Sequence, residues 1–99
     1  MNEKLLKIIN HYGVMPQLKY FQSEVFELNE AIIKYENDDY IYDEETEWER
    51  REDIAEEIAD VQVMLNQFKV HYGITDAEVK KVMMSKIERQ IERIENENN

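Results

Sequence analysis

Two glycines and one proline are all that interrupt this chain of 99 residues, and that scarcity of breakers constrains the fold more than any other feature. With so little Gly to supply positive φ and so little Pro to stop a helix, turns must be few and helices long. The apolar pattern agrees. Leu18, Phe21, Val25, Leu28, Ile32 and Tyr35 follow one another at alternating steps of three and four, and so do Ile54, Ile58, Val61, Leu65, Phe68 and Tyr72. Shorter lines run through Leu5, Ile8, Ile9 and Tyr12, and through Val79, Val82, Met83, Ile87, Ile91 and Ile94.

Breakers and capping residues divide these lines into four helices. The first spans about residues 3–12, with Gly13 as its C-cap. Pro16 fits the first turn of the second helix, which ends near residues 35–37 before an acidic loop. Thr46 and Glu49 have the spacing of a capping box, so the third helix is expected to open there and to close at Gly73. Thr75 and Glu78 repeat the box and open the fourth helix, followed by a polar tail, about 95–99, that should fray. The triplet His-Tyr-Gly, at 11–13 and again at 71–73, reads as shared helix-ending chemistry. The expected fold is all-α, a single four-helix bundle-like domain over residues 1–99. Sustained three-four spacing leaves more apolar surface than one such chain covers, so completion by homo-oligomerisation, as a dimer or tetramer, is expected.

Charge narrows the function. The net charge is −11, and residues 36–60 carry all of it, with thirteen acids against Arg50 and Arg51. Such a chain lacks the clustered Lys and Arg that duplex nucleic acid and anionic membranes require. No apolar run approaches a membrane span, and the first residues lack a signal-peptide core. The absence of cysteine excludes disulfides, zinc-thiolate sites and thiol catalysis, and fits a cytoplasmic location. Hydrophobic residues make up 42% of the chain and recur periodically, which argues against intrinsic disorder.

Two acidic pairs interrupt the well-patterned helices. Glu24 and Glu27 lie three apart in the second helix, and Glu57 and Asp60 lie three apart in the third. Residues so spaced share a helix face, and both pairs border an apolar seam. They read either as solvated acidic faces or as a site where a hard cation offsets four carboxylates. Neither histidine has the Glu-x-x-His spacing of di-iron bundles, since His11 follows Ile8 by three and His71 follows Phe68 by three. An all-oxygen site for Mg²⁺, or Mn²⁺ in its place, is therefore favoured over one for iron or zinc.

These residues resemble a known family. The run containing Gln17, Glu24, Glu27-Leu28 and Glu30-Ala31-Ile32, followed by Glu56-Glu57-Ile58-Ala59-Asp60-Val61, resembles the MazG-like nucleotide pyrophosphohydrolases of the all-α NTP pyrophosphatase superfamily. Lys86-x-x-Arg89-Gln90-x-x-Arg93-Ile94 is similar to the fourth helix of small single-domain members, and the similarity runs from about Tyr12 to Ile94. One departure is Ser23, where the family often has a further Glu before the first motif acid.

The resemblance implies Mg²⁺-dependent hydrolysis of a (deoxy)nucleoside triphosphate to the monophosphate and pyrophosphate, serving nucleotide pool control or house-cleaning. It implies that Glu24, Glu27, Glu57 and Asp60 bind the metal, and Glu24 or Glu27 would activate the attacking water. Gln17 would contact substrate. Lys86, Arg89 and Arg93 share one face of the fourth helix and would meet the pyrophosphate, although interleaved Glu88 and Glu92 also suit a solvated charged face. Asn66 and Lys69 are further phosphate candidates. Trp48, Tyr20, Phe21 and Tyr42 are available to stack on a base. A second enzymatic reading is phosphoribosyl-ATP pyrophosphohydrolase. The alternative from a different class is a non-catalytic helical interaction module whose acidic block binds a basic protein.

Overall fold

Four helices form from this pattern: α1 (Asn2–Tyr12), α2 (Val14–Glu36), α3 (Glu44–Tyr72) and α4 (Asp76–Glu97). They are seen in a computed structural model that describes residues 2–37 and 44–97, and no strand occurs among the described residues. The fold is all-α and bundle-like, as the breaker count and periodicity predict.

Local chemistry accounts for the junctions. Gly13, at φ 91° and ψ 157°, ends α1 and starts α2 within one residue. Its N–H donates to the Ile9 carbonyl at 2.8 Å, and its own carbonyl accepts from the Gln17 N–H at 3.2 Å. Pro16 lies in the first turn of α2, where its missing N–H is harmless, although the helix begins two residues earlier than the proline suggests. The Asn37 N–H closes α2 on the Ile33 carbonyl at 3.0 Å. Most of the acidic loop expected next, including Tyr42, lies outside the described residues.

The Thr46–Glu49 capping box does not open α3. That helix starts at Glu44, so both box residues lie within it. Glu47, in its first turn, suits the positive end of the helix dipole. The second box behaves as expected, the Glu78 N–H donating to Thr75 Oγ1 at 3.1 Å. Helix α4 then continues to Glu97, beyond the point where fraying was expected, because no breaker stops it.

Gln17 meets Gln67, Phe21 meets Phe68 and Tyr35 meets Glu47, so α2 and α3 run antiparallel along one another. The two phenylalanine rings meet edge to face with centroids 5.8 Å apart. Helix α1 packs on α3 and, to a lesser extent, on α2, and Leu5 and Ile9 of α1 are buried together with Met64 of α3 as the apolar core of the described residues. Three polar side chains, Gln17, Glu24 and Gln67, are buried with this apolar core.

Helix α4 departs from expectation. Its apolar line was expected inside, yet Val82, Met83, Ile87, Ile91 and Ile94 are all about half exposed. No part of α4 packs on another helix among the described residues, apart from its first turns beside the end of α3. The spacing is as read, but no surface for it to pack on is present among the described residues.

Candidate metal centre and adjoining cleft

The antiparallel register of α2 and α3 carries Glu24 to Glu57 and Asp60. One carboxylate oxygen from each of the three lies within 4.8 Å of the others. Glu24 is only 5% exposed, Glu57 is half-buried and Asp60 is exposed, so the trio opens to solvent on the Asp60 side. Glu24 Oε2 and Glu57 Oε2 are buried with no hydrogen-bond partner. An isolated buried carboxylate is costly, and two orphaned oxygens beside a third acid compound that cost.

Electrostatics record the strain. Burial pushes the Glu24 carboxyl above its ordinary value, and the negative charges of Glu27 and Asp60 push the same way. A hydrogen bond from the Tyr20 hydroxyl opposes that shift and in turn raises the tyrosine's own pKa. Glu57 is raised first by burial and then by Glu27, Asp60 and Glu24. Three carboxylates that each bring a hard oxygen donor within 4.8 Å of the others, two of them also carrying an orphaned oxygen, fit a divalent cation such as Mg²⁺ or Mn²⁺.

Glu27 is the fourth expected ligand, and it is not in the trio. It is exposed, yet close enough for its charge to act on both Glu24 and Glu57. The structure thus brings three of the four acids together and leaves one at the rim.

A cleft of about 550 Å³ opens beside the trio, sharing Glu24 and Asp60 with it. Tyr12 and Tyr20 stand at its mouth, both more than half exposed, while Met64 and the two buried glutamines line its interior. Gln17 Nε2 donates to Gln67 Oε1 at 2.8 Å, and the Gln67 amide nitrogen reaches only the Met64 sulfur, at 3.6 Å. A thioether is a weak acceptor, so this amide keeps donor capacity for a ligand. No Lys or Arg lines the cleft among the described residues.

The remaining expected site residues fall elsewhere. Trp48 donates from Nε1 to Glu52 at 2.7 Å and has the Arg51 guanidinium 5.2 Å from its ring centroid, so its partners are on its own helix. Asn66 accepts from Gln62 at 3.1 Å, and Lys69 is ion-paired with Asp76. Both line a separate cavity of about 470 Å³ between α1 and the turn after α3. Lys86, Arg89 and Arg93 are exposed on α4 and are not joined to the trio within the chain. Phe21 is interface packing rather than a free platform.

Sequence reading missed Tyr12, Met64 and Gln67, and missed that Tyr20 holds Glu24. A signal was available. Gln17, Tyr20, Glu24 and Glu27 follow steps of three, four and three, and so do Glu57, Asp60, Met64 and Gln67. Each helix carries this second, largely polar line beside its apolar one. No protein-family model, curated protein or solved structure matches the chain.

Proposed function

We propose that this protein hydrolyses nucleoside triphosphates at the α–β phosphoanhydride, releasing the monophosphate and pyrophosphate, with a divalent cation held by Glu24, Glu57 and Asp60. The observation that carries the reading is the pair of buried, unpartnered oxygens, Glu24 Oε2 and Glu57 Oε2, at the edge of a cleft large enough for a nucleoside. Their chemistry calls for a cation, and the cleft supplies a place for the organic part of the substrate. The resemblance of the acidic motifs to MazG-like pyrophosphohydrolases points to the same reaction.

When bound, Mg²⁺ offsets the charge of the phosphates and polarises the anhydride. The chain's own groups do the rest. Tyr20 fixes the Glu24 carboxylate through its hydroxyl. Glu27, outside the trio but beside it, accepts the proton of the attacking water, and the departing pyrophosphate keeps the bridging oxygen. Tyr12 and Tyr20 offer aromatic faces to a base, and the Gln17–Gln67 pair offers a donor and an acceptor to its edge.

The test is pyrophosphate release from each NTP and dNTP with Mg²⁺ and then Mn²⁺. Release that depends on the cation and is lost in Asp60→Asn supports the reading, whereas no release with any nucleotide and either metal ends it. The interaction-module reading draws on the bare surface of α4. It offers no reason to bury two unpaired carboxylates, so it stands second.

A further inference from the structure

We infer that the cleft selects a base by its donor–acceptor order, taking keto-edged bases (uracil, thymine, hypoxanthine, guanine) over amino-edged ones (cytosine, adenine), and that Met64 is the positioning residue that sets this order. The inference rests on the reading of the site as one for nucleotides and names the base class within it.

Distance places the glutamines at the base. Gln17 lies seven residues before Glu24 on α2, and Gln67 lies seven after Asp60 on α3. At about 1.5 Å per residue, each is about 10 Å along its helix from the acid. That matches the span from an α-phosphate at the trio to the far edge of its base. Glu24 and Asp60 are the only charged residues lining the cleft among the described residues, so the glutamines meet a neutral edge.

The orientation of the amides follows from their neighbours. Both are buried, Gln67 at 2% exposure and Gln17 at 8%. Their hydrogen bond runs from Gln17 Nε2 to Gln67 Oε1. Turning both amides over would preserve a bond with donor and acceptor exchanged, so the bond alone does not choose a direction. Met64 does. Gln67 Nε2 donates one hydrogen to the Met64 sulfur at 3.6 Å, and the reversed amide would set its carbonyl oxygen against the lone pairs of that sulfur. Held this way, the pair offers the second Nε2 hydrogen of Gln67 as a donor and Gln17 Oε1 as an acceptor.

Depth then matches groups to atoms. In a nucleotide the group farthest from the sugar is the one on C4 of a pyrimidine or C6 of a purine. It reaches the deeper glutamine, Gln67, whose remaining hydrogen needs an oxygen there. The adjoining ring nitrogen must carry a hydrogen for Gln17 Oε1. Keto-edged bases have that order. Cytosine and adenine have its inverse, which sets an amino group against an amide donor and leaves both without an acceptor in a buried wall.

Uridine and cytidine monophosphates share one shape with inverse order, and so do inosine and adenosine monophosphates. Titration calorimetry of these four against the full chain, with Mg²⁺, tests the inference without turnover. UMP is expected to bind about tenfold or more tightly than CMP, and IMP than AMP by a similar factor. Met64→Leu keeps the volume and removes the sulfur, so both ratios are expected to move toward one. Gln67→Glu replaces the donor with an acceptor and is expected to remove the preference for UMP. A loosened cleft weakens both members of a pair alike, so the ratio reports the order and not the packing. Ratios near one in the natural sequence, a preference for CMP and AMP, or ratios that Met64→Leu leaves unchanged overturn the inference. Failure of all four to bind does so too. Hydrolysis is read separately: pyrophosphate release with no base preference leaves the hydrolase reading standing, and selective binding without release leaves only the base order.

Discussion

Gln17 and Gln67, fifty positions apart, hydrogen-bond through their side-chain amides at 2.8 Å in the buried wall between α2 and α3. The pair sits one turn or more from the carboxylate trio and fixes the register that brings Glu24 opposite Asp60. Truncating one partner leaves the other's buried amide without its hydrogen bond, at a cost of about 1–3 kcal/mol. Gln67→Leu alone and Gln17→Leu alone are both expected to lower the urea midpoint. The double variant, with no stranded amide, is expected to lose less than the sum of the two. Additive losses would show that the amides do not act as a pair.

The trio makes stability depend on pH in an unusual direction. Burial raises Glu24 and Glu57 above the ordinary carboxylate value of 4.5, so the folded protein holds these protons more tightly than the unfolded chain. Their contribution is full below that value and is lost as pH rises through the raised folded values. Without divalent cations, the thermal midpoint of the Glu24→Gln variant should therefore exceed that of the natural sequence at neutral pH, with the gap closing as pH falls. Thermal scans across about pH 4.5–8 check this. Saturating Mg²⁺ should raise the natural sequence by about 2.7 kcal/mol at a hundredfold excess over Kd, and the variant by much less.

Roles within the acidic group separate by two readouts. Asp60→Asn removes a ligand, so it is expected to abolish both pyrophosphate release and the Mg²⁺-induced rise in midpoint. Glu27→Gln leaves the trio intact and should keep most of the midpoint rise, while kcat falls by about 10²–10⁴-fold. Loss of the Mg²⁺ response in Glu27→Gln would make Glu27 a fourth ligand instead of a base.

The fold was legible where spacing decides it and illegible where tertiary packing does. Few breakers and three-four steps are local properties, so four helices and their junctions at Gly13, Gly73 and Thr75 follow from sequence. Burial is not local. The line Ile87–Ile91–Ile94 has the spacing of a core helix, and nothing in its residues says that it will stand about half exposed. The site divides the same way. Glu24, Glu57 and Asp60 could be paired from their steps and seams, but Gln67 and Met64 needed the α2–α3 register, which the polar line from Glu57 to Gln67 encodes only once α2 is set against it.

The two His-Tyr-Gly triplets end their helices by different geometries, and substitution should expose the difference. Gly73, at φ 68°, is left-handed and completes a two-bond closure: its N–H donates to Val70 at 3.3 Å, and the Ile74 N–H donates to Lys69 at 2.8 Å. A Cβ there meets nothing within 4 Å, so the only penalty is the left-handed backbone, about 1–2 kcal/mol for Ala and less for Asn. Gly13, at φ 91° and ψ 157°, occupies a region that is essentially glycine's alone. The nearest atom to a Cβ there, Pro16 Cδ at 3.6 Å, is at ordinary contact distance, so the strain is in the backbone and amounts to about 1–3 kcal/mol for any other residue. Gly73→Asn is therefore expected to be close to neutral in urea unfolding, whereas Gly13→Asn is not rescued relative to Gly13→Ala. Equal tolerance of Asn at both positions would show that Gly13 relaxes to a left-handed cap when its side chain demands it.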